Sequence, residues 1–528
     1  MLPPTLETPR EVKQHYDLVY DQLIASGEYH PFLYPWATLG FGVIIIYLLL
    51  DHRKAPALRS LRFPLFGFLC AFSAWCILTN KARSPAASYG VGLVSAWGTL
   101  WTGAIMCFND CQTDFKRIER AHGSASMKST NVPNGGHVPN GRVKAADQSP
   151  STGPAHRKGR LYWQPYPSTP FKDRLEWVID IFCNFRGVGW NFGTHGIPPP
   201  PSWAQAELHD NSKEDICNPP TDPADEITTS TTGIRRFTSR RALLQNCLIN
   251  LTIGFFALDL IKLIMHHDPY FWGYTTTSTA PLWLPPPIRA SRILLKSYRL
   301  LTSLAGVSLA LNEIFRLGPL FFCALLGPSR IGLRGAPWMN PPDFYGDFRA
   351  VLDKGLAGWW GSWWHQTFRF AFEAPGSALL AHLSIPKTSQ KGKLLSLFIA
   401  FALSGSLHAC GSHTQLGATR PLRGPCCFFL LQPLGILAQT LLLPYLPKKP
   451  HFLVRVYNFL FVMVWMYFTA PLLVDDFARG GVWLYEPLAF SPLRALGLGA
   501  RDDGCWDLWY GLVFWRRGEG WWDTGIAF

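Results

Sequence analysis

Two histidines stand where a histidine is costly unless it does something. His408 lies in the apolar run Phe401-Ala-Leu-Ser-Gly-Ser-Leu-His408-Ala-Cys410, and an ionisable side chain within such a run is by default a functional candidate. The chemistry open to such a ring is proton transfer. Ser404 precedes it by four residues, so both occupy one helix face. Gly405 and Ala409 are also four apart, a spacing that lets a neighbouring helix come close. The plain alternative is a neutral histidine bonded to a carbonyl of another helix. His365 occurs in Trp359-Trp360-Gly-Ser-Trp363-Trp364-His365-Gln366-Thr-Phe-Arg369. A polar pair, His365 and Gln366, among four tryptophans suits a site that excludes water yet holds polar groups. The alternative there is an interfacial aromatic belt with a snorkelling Arg369.

Three further patterns look chemical and are set aside. His266-His267-Asp268 lacks a second ligand group at helical spacing, and a histidine near a helix C-terminus is favourable in any case. His408 and His413 are five apart, on different faces, which argues against a shared metal. Asp475-Asp476 ends an apolar span and is expected at the solvated surface. The 12 cysteines are scattered, many inside apolar stretches (Cys70, Cys76, Cys107, Cys247, Cys323, Cys410), with no zinc spacing. They read as small packing residues. No P-loop, G-x-S-x-G or dinucleotide fingerprint is present. No metal and no bound cofactor are expected.

The elements that must position these residues are membrane helices. Of the 528 residues 48% are hydrophobic and only 16% charged, against about a quarter charged in an ordinary soluble domain. Apolar runs at 32–50, 63–79, 86–108, 243–265, 300–326, 394–410, 426–446 and 452–474 each approach the roughly 20 residues that cross a bilayer. A weaker candidate is 370–383. Asn312, Glu313 and Arg316 interrupt the 300–326 run, which is one long broken helix or two partial ones. The 337–372 stretch is aromatic-rich and too polar to span, so it is expected to lie along the membrane or re-enter it. The Trp-rich tail from Trp506 to Trp522 is expected at the interface.

The net charge of +14 comes with no nucleic-acid motif, and Lys and Arg sit mainly beside apolar segments. The positive-inside rule accounts for that, and no nucleic-acid partner is expected. The basic first loop (Arg53, Lys54, Arg59, Arg62) and third loop (Lys116, Arg117, Arg120) are assigned to the cytosol and the acidic N-terminal tail to the lumen. That tail is no cleaved leader, because the first apolar run begins only at Phe32. Residues 123–158 read as disordered. The chain divides into a polar tail (1–31), three membrane helices (32–108), a long polar loop (109–241) and a membrane-embedded core with the Trp-rich tail (242–528). No internal repeat supports a transporter, the rival reading without chemistry.

In order along the chain come Arg174-Leu-Glu-Trp177 with Arg186-Gly-Val-Gly-Trp190-Asn191, Asp268-Pro-Tyr-Phe271, Trp360-Gly-Ser-Trp-Trp-His365-Gln366, Ser404-Gly-Ser-Leu-His408, and Pro471-Leu-Leu-Val-Asp-Asp476 with Gly481-Val-Trp483 and Glu486-Pro487. This series resembles the membrane-bound O-acyltransferase superfamily, and within it the fungal wax synthase-like branch. Trp359 stands where that branch usually has Phe, and the lead-in around Tyr345 departs from its pattern.

The resemblance implies an all-α multi-pass membrane protein. About eight transmembrane helices, with re-entrant or interfacial aromatic helices, would surround a central tunnel. It places the catalytic histidine at His408 and a second polar position at His365. His408 is then the expected general base, worth about 10²–10⁴ in rate. His365 and Gln366 orient the acyl donor or stabilise an oxyanion, and Trp360, Trp364 and Ser404 contact substrate. Arg369, and with it Arg334, Lys391 and Lys393, are candidates for the CoA phosphates. Acetyl-CoA is the expected co-substrate, and a small apolar terpenoid or meroterpenoid alcohol the acceptor. Long-chain wax or steryl ester synthesis is the alternative, and the endoplasmic reticulum membrane the expected location.

Overall fold

The computed structural model describes residues 2–121, 159–194, 196–209, 227–277, 279–445, 450–506 and 513–528. The 123–158 segment expected to be disordered lies outside the described residues. The helices used below are α1 (Pro9–Ala25), α2 (Leu39–Leu49), α3 (Arg62–Thr79), α4 (Pro85–Met106), α5 (Phe171–Cys183), α6 (Arg240–His266), α7 (Arg292–Pro319), α8 (Arg349–Gly358), α9 (Arg369–His382), α10 (Gln390–Thr414), α11 (Cys427–Leu442), α12 (His451–Thr469) and α13 (Pro471–Arg479). Strands are short and peripheral. In one three-stranded sheet Gly525–Ala527 lies between Leu33–Tyr34 and Phe514–Arg516, so the C-terminal tail pairs with the segment leading into α2.

The protein is an all-α multi-pass membrane protein. Six helical stretches among the described residues are long and apolar enough to cross a bilayer: Pro56–Thr79, Arg240–His266, Arg292–Leu326, Gln390–Thr414, Leu422–Leu442 and His451–Thr469. The 300–326 run is one helix, prolonged past Pro319 by a π-helical turn, Leu320–Leu326. Two other expected spans take different forms. The first is helical only over Trp36–Leu49, short of a full crossing. The third forms all of α4, 22 residues long, but Trp97, Trp101, Thr102 and Ala104–Met106 turn into the interior rather than to lipid.

The aromatic 337–372 stretch does not span. α8 is broken at Gly355, whose φ of 59° favours glycine. A Cβ there would come within 2.0 Å of the Gln439 amide. That amide accepts from Leu356 N at 2.8 Å and donates to Asn458 Oδ1 at 3.0 Å. The irregular backbone is thus satisfied by protein, the condition under which it is tolerated at membrane depth. A π-helical turn, Trp359–Trp363, then leads to His365.

The most extensive helix pairing is α4 against α10. Small residues on α4 permit it: a Cβ on Gly92 would come within 2.0 Å of the Cys410 carbonyl oxygen. Reciprocal bonds lock the crossing, Ser88 Oγ donating to Thr414 O at 2.5 Å and Thr414 Oγ1 to Ser88 O at 2.6 Å. From α13, Asp476 accepts from Ser412 Oγ at 2.5 Å and from Arg420 N at 2.5 Å. The aspartate pair expected at the solvated surface is therefore structural. Asp476 is fully buried, and Asp475 accepts from Tyr270 Oη at 2.6 Å. Burial raises both carboxyls above the ordinary value.

Candidate active site

His408 projects from α10 and is gripped from two sides. Its Nδ1 lies 2.6 Å from Tyr89 Oη of α4. Its ring stacks on Phe429 of α11, centroids 4.6 Å apart and planes 11° from parallel. Both neighbours come close because α10 carries small residues. A Cβ on Gly411 would meet the Tyr89 ring at 2.7 Å, and one on Gly405 would meet the Cys426 carbonyl oxygen at 3.1 Å. Nε2 has no hydrogen-bond partner among the described residues, and the side chain keeps accessible surface. The ring is fixed at one nitrogen and open at the other.

His365 sits in a different cage. Phe344 stacks on it at 4.7 Å, Phe368 meets it edge-on at 5.2 Å, and Trp364 lies at 5.5 Å. Its Nδ1 is sealed without a partner among the described residues. His365 lies outside the six spans. Burial, helped by the nearby His408 and Arg186, pushes its pKa down to about 3, so the ring is neutral.

One aromatic wall joins the two histidines. Phe429, stacked on His408, meets Trp360 at 5.8 Å; Trp360 meets Trp364 at 5.9 Å, and Trp364 flanks His365. Trp360 is aimed by its indole N–H, which donates to Gln432 Oε1 at 3.3 Å. Trp360 and Trp364 therefore link the two imidazoles through ring contacts. Ser404 lies one turn before His408 on α10, partly exposed, with no partner holding its hydroxyl among the described residues.

Three sequence expectations meet a different geometry. Gln366 donates both amide hydrogens to backbone, at 3.0 Å to Trp360 O and 2.6 Å to Trp364 O, and accepts from Arg369 at 3.1 Å. It closes its own loop. Arg369 is paired with Glu373 at 2.7 Å, so it reaches along its own helix. Arg334 is held by Asp180 at 3.2 Å and Glu119 at 3.4 Å. Lys391 and Lys393 stand exposed at the start of α10. Two open surface grooves flank Arg240, lined by residues such as Leu244, Ile249 and Ser329, and neither includes a residue of this site.

Two contributors were not singled out in the sequence. Phe429 gives no signal, being one phenylalanine among many. Tyr89 gives a faint one: Ser88, Gly92 and Ser95 form a small-residue face on its helix, the mark of a close partner.

Residues 341–431, which hold Trp360, Trp364, His365 and His408, match the model of the Membrane bound O-acyl transferase family. Over this stretch the chain is similar to that family. Among curated relatives, the O-Mevalon transferase macI of Penicillium terrestre is 24% identical over 280 residues, 50% of this chain and 52% of that protein. The Acetyltransferase pyr8 of Aspergillus fumigatus is 31% identical over 168 residues, 30% of this chain and 37% of that one. The Acetyltransferase eriL of Hericium erinaceus is 28% identical over 143 residues, 27% and 37% of the two chains. The chain thus spans about half the length of the first of these relatives and less of the others. No solved structure matches it significantly.

Proposed function

We propose that this protein is an O-acyltransferase that transfers an acyl group, acetyl from acetyl-CoA, to the hydroxyl of an apolar secondary metabolite of terpenoid or meroterpenoid type, with His408 as general base. The observation that carries the proposal is the state of His408: Nδ1 anchored by Tyr89, one face covered by Phe429, and Nε2 open. In this reading Nε2 takes the proton of the acceptor hydroxyl as its oxygen bonds to the thioester carbonyl carbon. The carbon–sulfur bond then breaks, and the imidazolium returns the proton to the departing thiolate. A base so placed contributes about 10²–10⁴ in rate, and fixing both reactants contributes more. Trp360 and Trp364 supply the apolar wall along which an alcohol that partitions into lipid would lie. His365, neutral at physiological pH, is the proposed donor or orienting group toward the acyl carbonyl.

The names of the relatives, all from fungi, support acyl transfer, and two of the three quoted are acetyltransferases. A second reading changes only the donor. The likeness to an O-Mevalon transferase favours an acyl group larger than acetyl. We propose the endoplasmic reticulum membrane as its location, with the N-terminus put on the luminal side by the basic first and third loops. The test is purified protein in detergent or nanodiscs with labelled acetyl-CoA and a panel of apolar alcohols. Labelled ester is expected, falling about 10²–10⁴-fold in His408→Ala. A variant that keeps full activity removes the base assignment, and a longer acyl-CoA outcompeting acetyl-CoA selects the second reading.

A further inference from the structure

We infer that Tyr89 is a positioning residue for His408, accepting a hydrogen bond from Nδ1–H and so fixing the tautomer that leaves a lone pair on Nε2. The inference rests on the reading of His408 as the base. Oη and Nδ1 are 2.6 Å apart and share one hydrogen between them. If the phenol donates, Nε2 carries the second ring proton and cannot take one from an alcohol. If Nδ1–H donates, Nε2 is the basic nitrogen, and the imidazolium formed in the reaction keeps an acceptor for its Nδ1–H.

The surroundings make Tyr89 a fixed partner. Its ring lies against Gly411, one turn beyond His408, where no side chain could intervene. Phe477 of α13 meets it edge-on at 5.3 Å. The Ser88–Thr414 bonds and the Gly92 contact hold the two helices at this level. The titratable groups facing the Tyr89–His408 pair are Cys410 on α10, Asp476 on α13 and His365 on its loop. Asp476 is already held by Ser412 and Arg420, which leaves the phenol as the polar partner for the imidazole.

Tyr89→Phe keeps the ring that packs on Gly411 and Phe477 and removes only the oxygen. One net hydrogen bond corresponds to roughly a tenfold effect. The expected result, with acetyl-CoA and an alcohol that turns over, is a kcat lower by about tenfold with KM for acetyl-CoA unchanged and the same melting temperature. In parallel, ¹⁵N-histidine spectra of the unliganded protein should show His408 moving from a single Nδ1–H tautomer to a mixture. Unchanged kcat and unchanged ¹⁵N shifts in Tyr89→Phe, with His408→Ala inactive, overturn the role of Tyr89 and leave the acyl-transfer reading standing. A fall in kcat matched by a loss of thermal stability and a raised KM makes Tyr89 merely structural and also overturns it. Activity retained in His408→Ala sinks the base assignment itself, whatever Tyr89→Phe does.

Discussion

His408 and His266 both lie toward the C-terminal end of an apolar helix, and their surroundings differ in kind. His266 is buried at the end of α6 with both nitrogens engaged, Nε2 at 2.8 Å from Glu486 and Nδ1 at 2.9 Å from Asp503. Arg494 reaches both Glu486 oxygens at 3.0 Å. Lys262 lies 3.7 Å from the same carboxylate and donates to the Trp483 carbonyl. Asp259 receives Ser491 Oγ at 2.5 Å and Leu493 N at 3.0 Å. Three basic groups (Lys262, His266, Arg494) thus meet two carboxylates (Glu486, Asp503), Asp259 holds Ser491 and Leu493 beside them, and the knot ties residues 483–503 to α6. His408 has a phenol on one nitrogen and open space on the other. A buried histidine closed on both sides holds a fold together; one closed on a single side is poised to exchange a proton.

Paired substitutions test this contrast most strongly. His408→Gln is expected to lower turnover about 10²–10⁴-fold while leaving the melting temperature within a few degrees of the parent. His266→Gln should do the reverse. It leaves two buried carboxylates short of a partner, and breaking one partner of a buried charge cluster costs about 3–5 kcal/mol. Folded yield and melting temperature fall, and turnover per folded molecule stays near the parent's. Activity loss without destabilisation in His266→Gln would mean that the two histidines are not different in kind.

Acid is a gentler probe of the same knot. Burial alone would raise the Glu486 carboxyl, but Lys262, His266 and Arg494 outweigh it and hold it well below the ordinary value. Asp503 is likewise lowered against its burial by His266 and Arg494. The unfolded chain therefore binds these protons first as pH falls. The stabilisation is fully present above the unfolded carboxylate pKa of about 4 and is lost as pH drops through the lower folded values. Thermal unfolding of the detergent-solubilised protein should be insensitive to this knot from pH 8 to about 5 and fall steeply below about 4. Glu486→Gln should flatten that acid limb, and an identical limb in the variant would show that other carboxylates control it.

What could be read from sequence follows the same division. His408 and His365 were visible because a polar ring in an apolar or tryptophan-rich run is expensive, and cost is legible residue by residue. The long spans were visible for the same reason. Tyr89 was not, because a tyrosine near the end of a membrane helix is ordinary and its meaning comes from a residue 319 positions away. Asp475-Asp476 looked like a solvated helix end. Burial under Ser412, Arg420 and Tyr270, all distant in sequence, decides otherwise. That 337–372 holds no spanning helix was legible from composition. The break at Gly355 was not, since it depends on the Gln439 amide of another helix.

The smallest expected effect separates the two roles open to Gln366. By its place beside His365 it could contact the thioester. By its bonds it fastens the Trp360–Trp364 turn, with both N–H groups on backbone carbonyls and its oxygen on Arg369. Gln366→Ala removes those bonds and leaves two carbonyls unpaired, which costs about 1–3 kcal/mol and lowers the melting temperature by a few degrees. Turnover should fall only about severalfold, because Trp360 remains tied to Gln432. Loss of an oxyanion donor would instead lower kcat about 10²–10³-fold with stability intact. Measuring kcat and melting temperature on one preparation decides between them. The bonds on Trp360 and Trp364 favour the first outcome, because an amide with both hydrogens committed to backbone has none left to give a substrate.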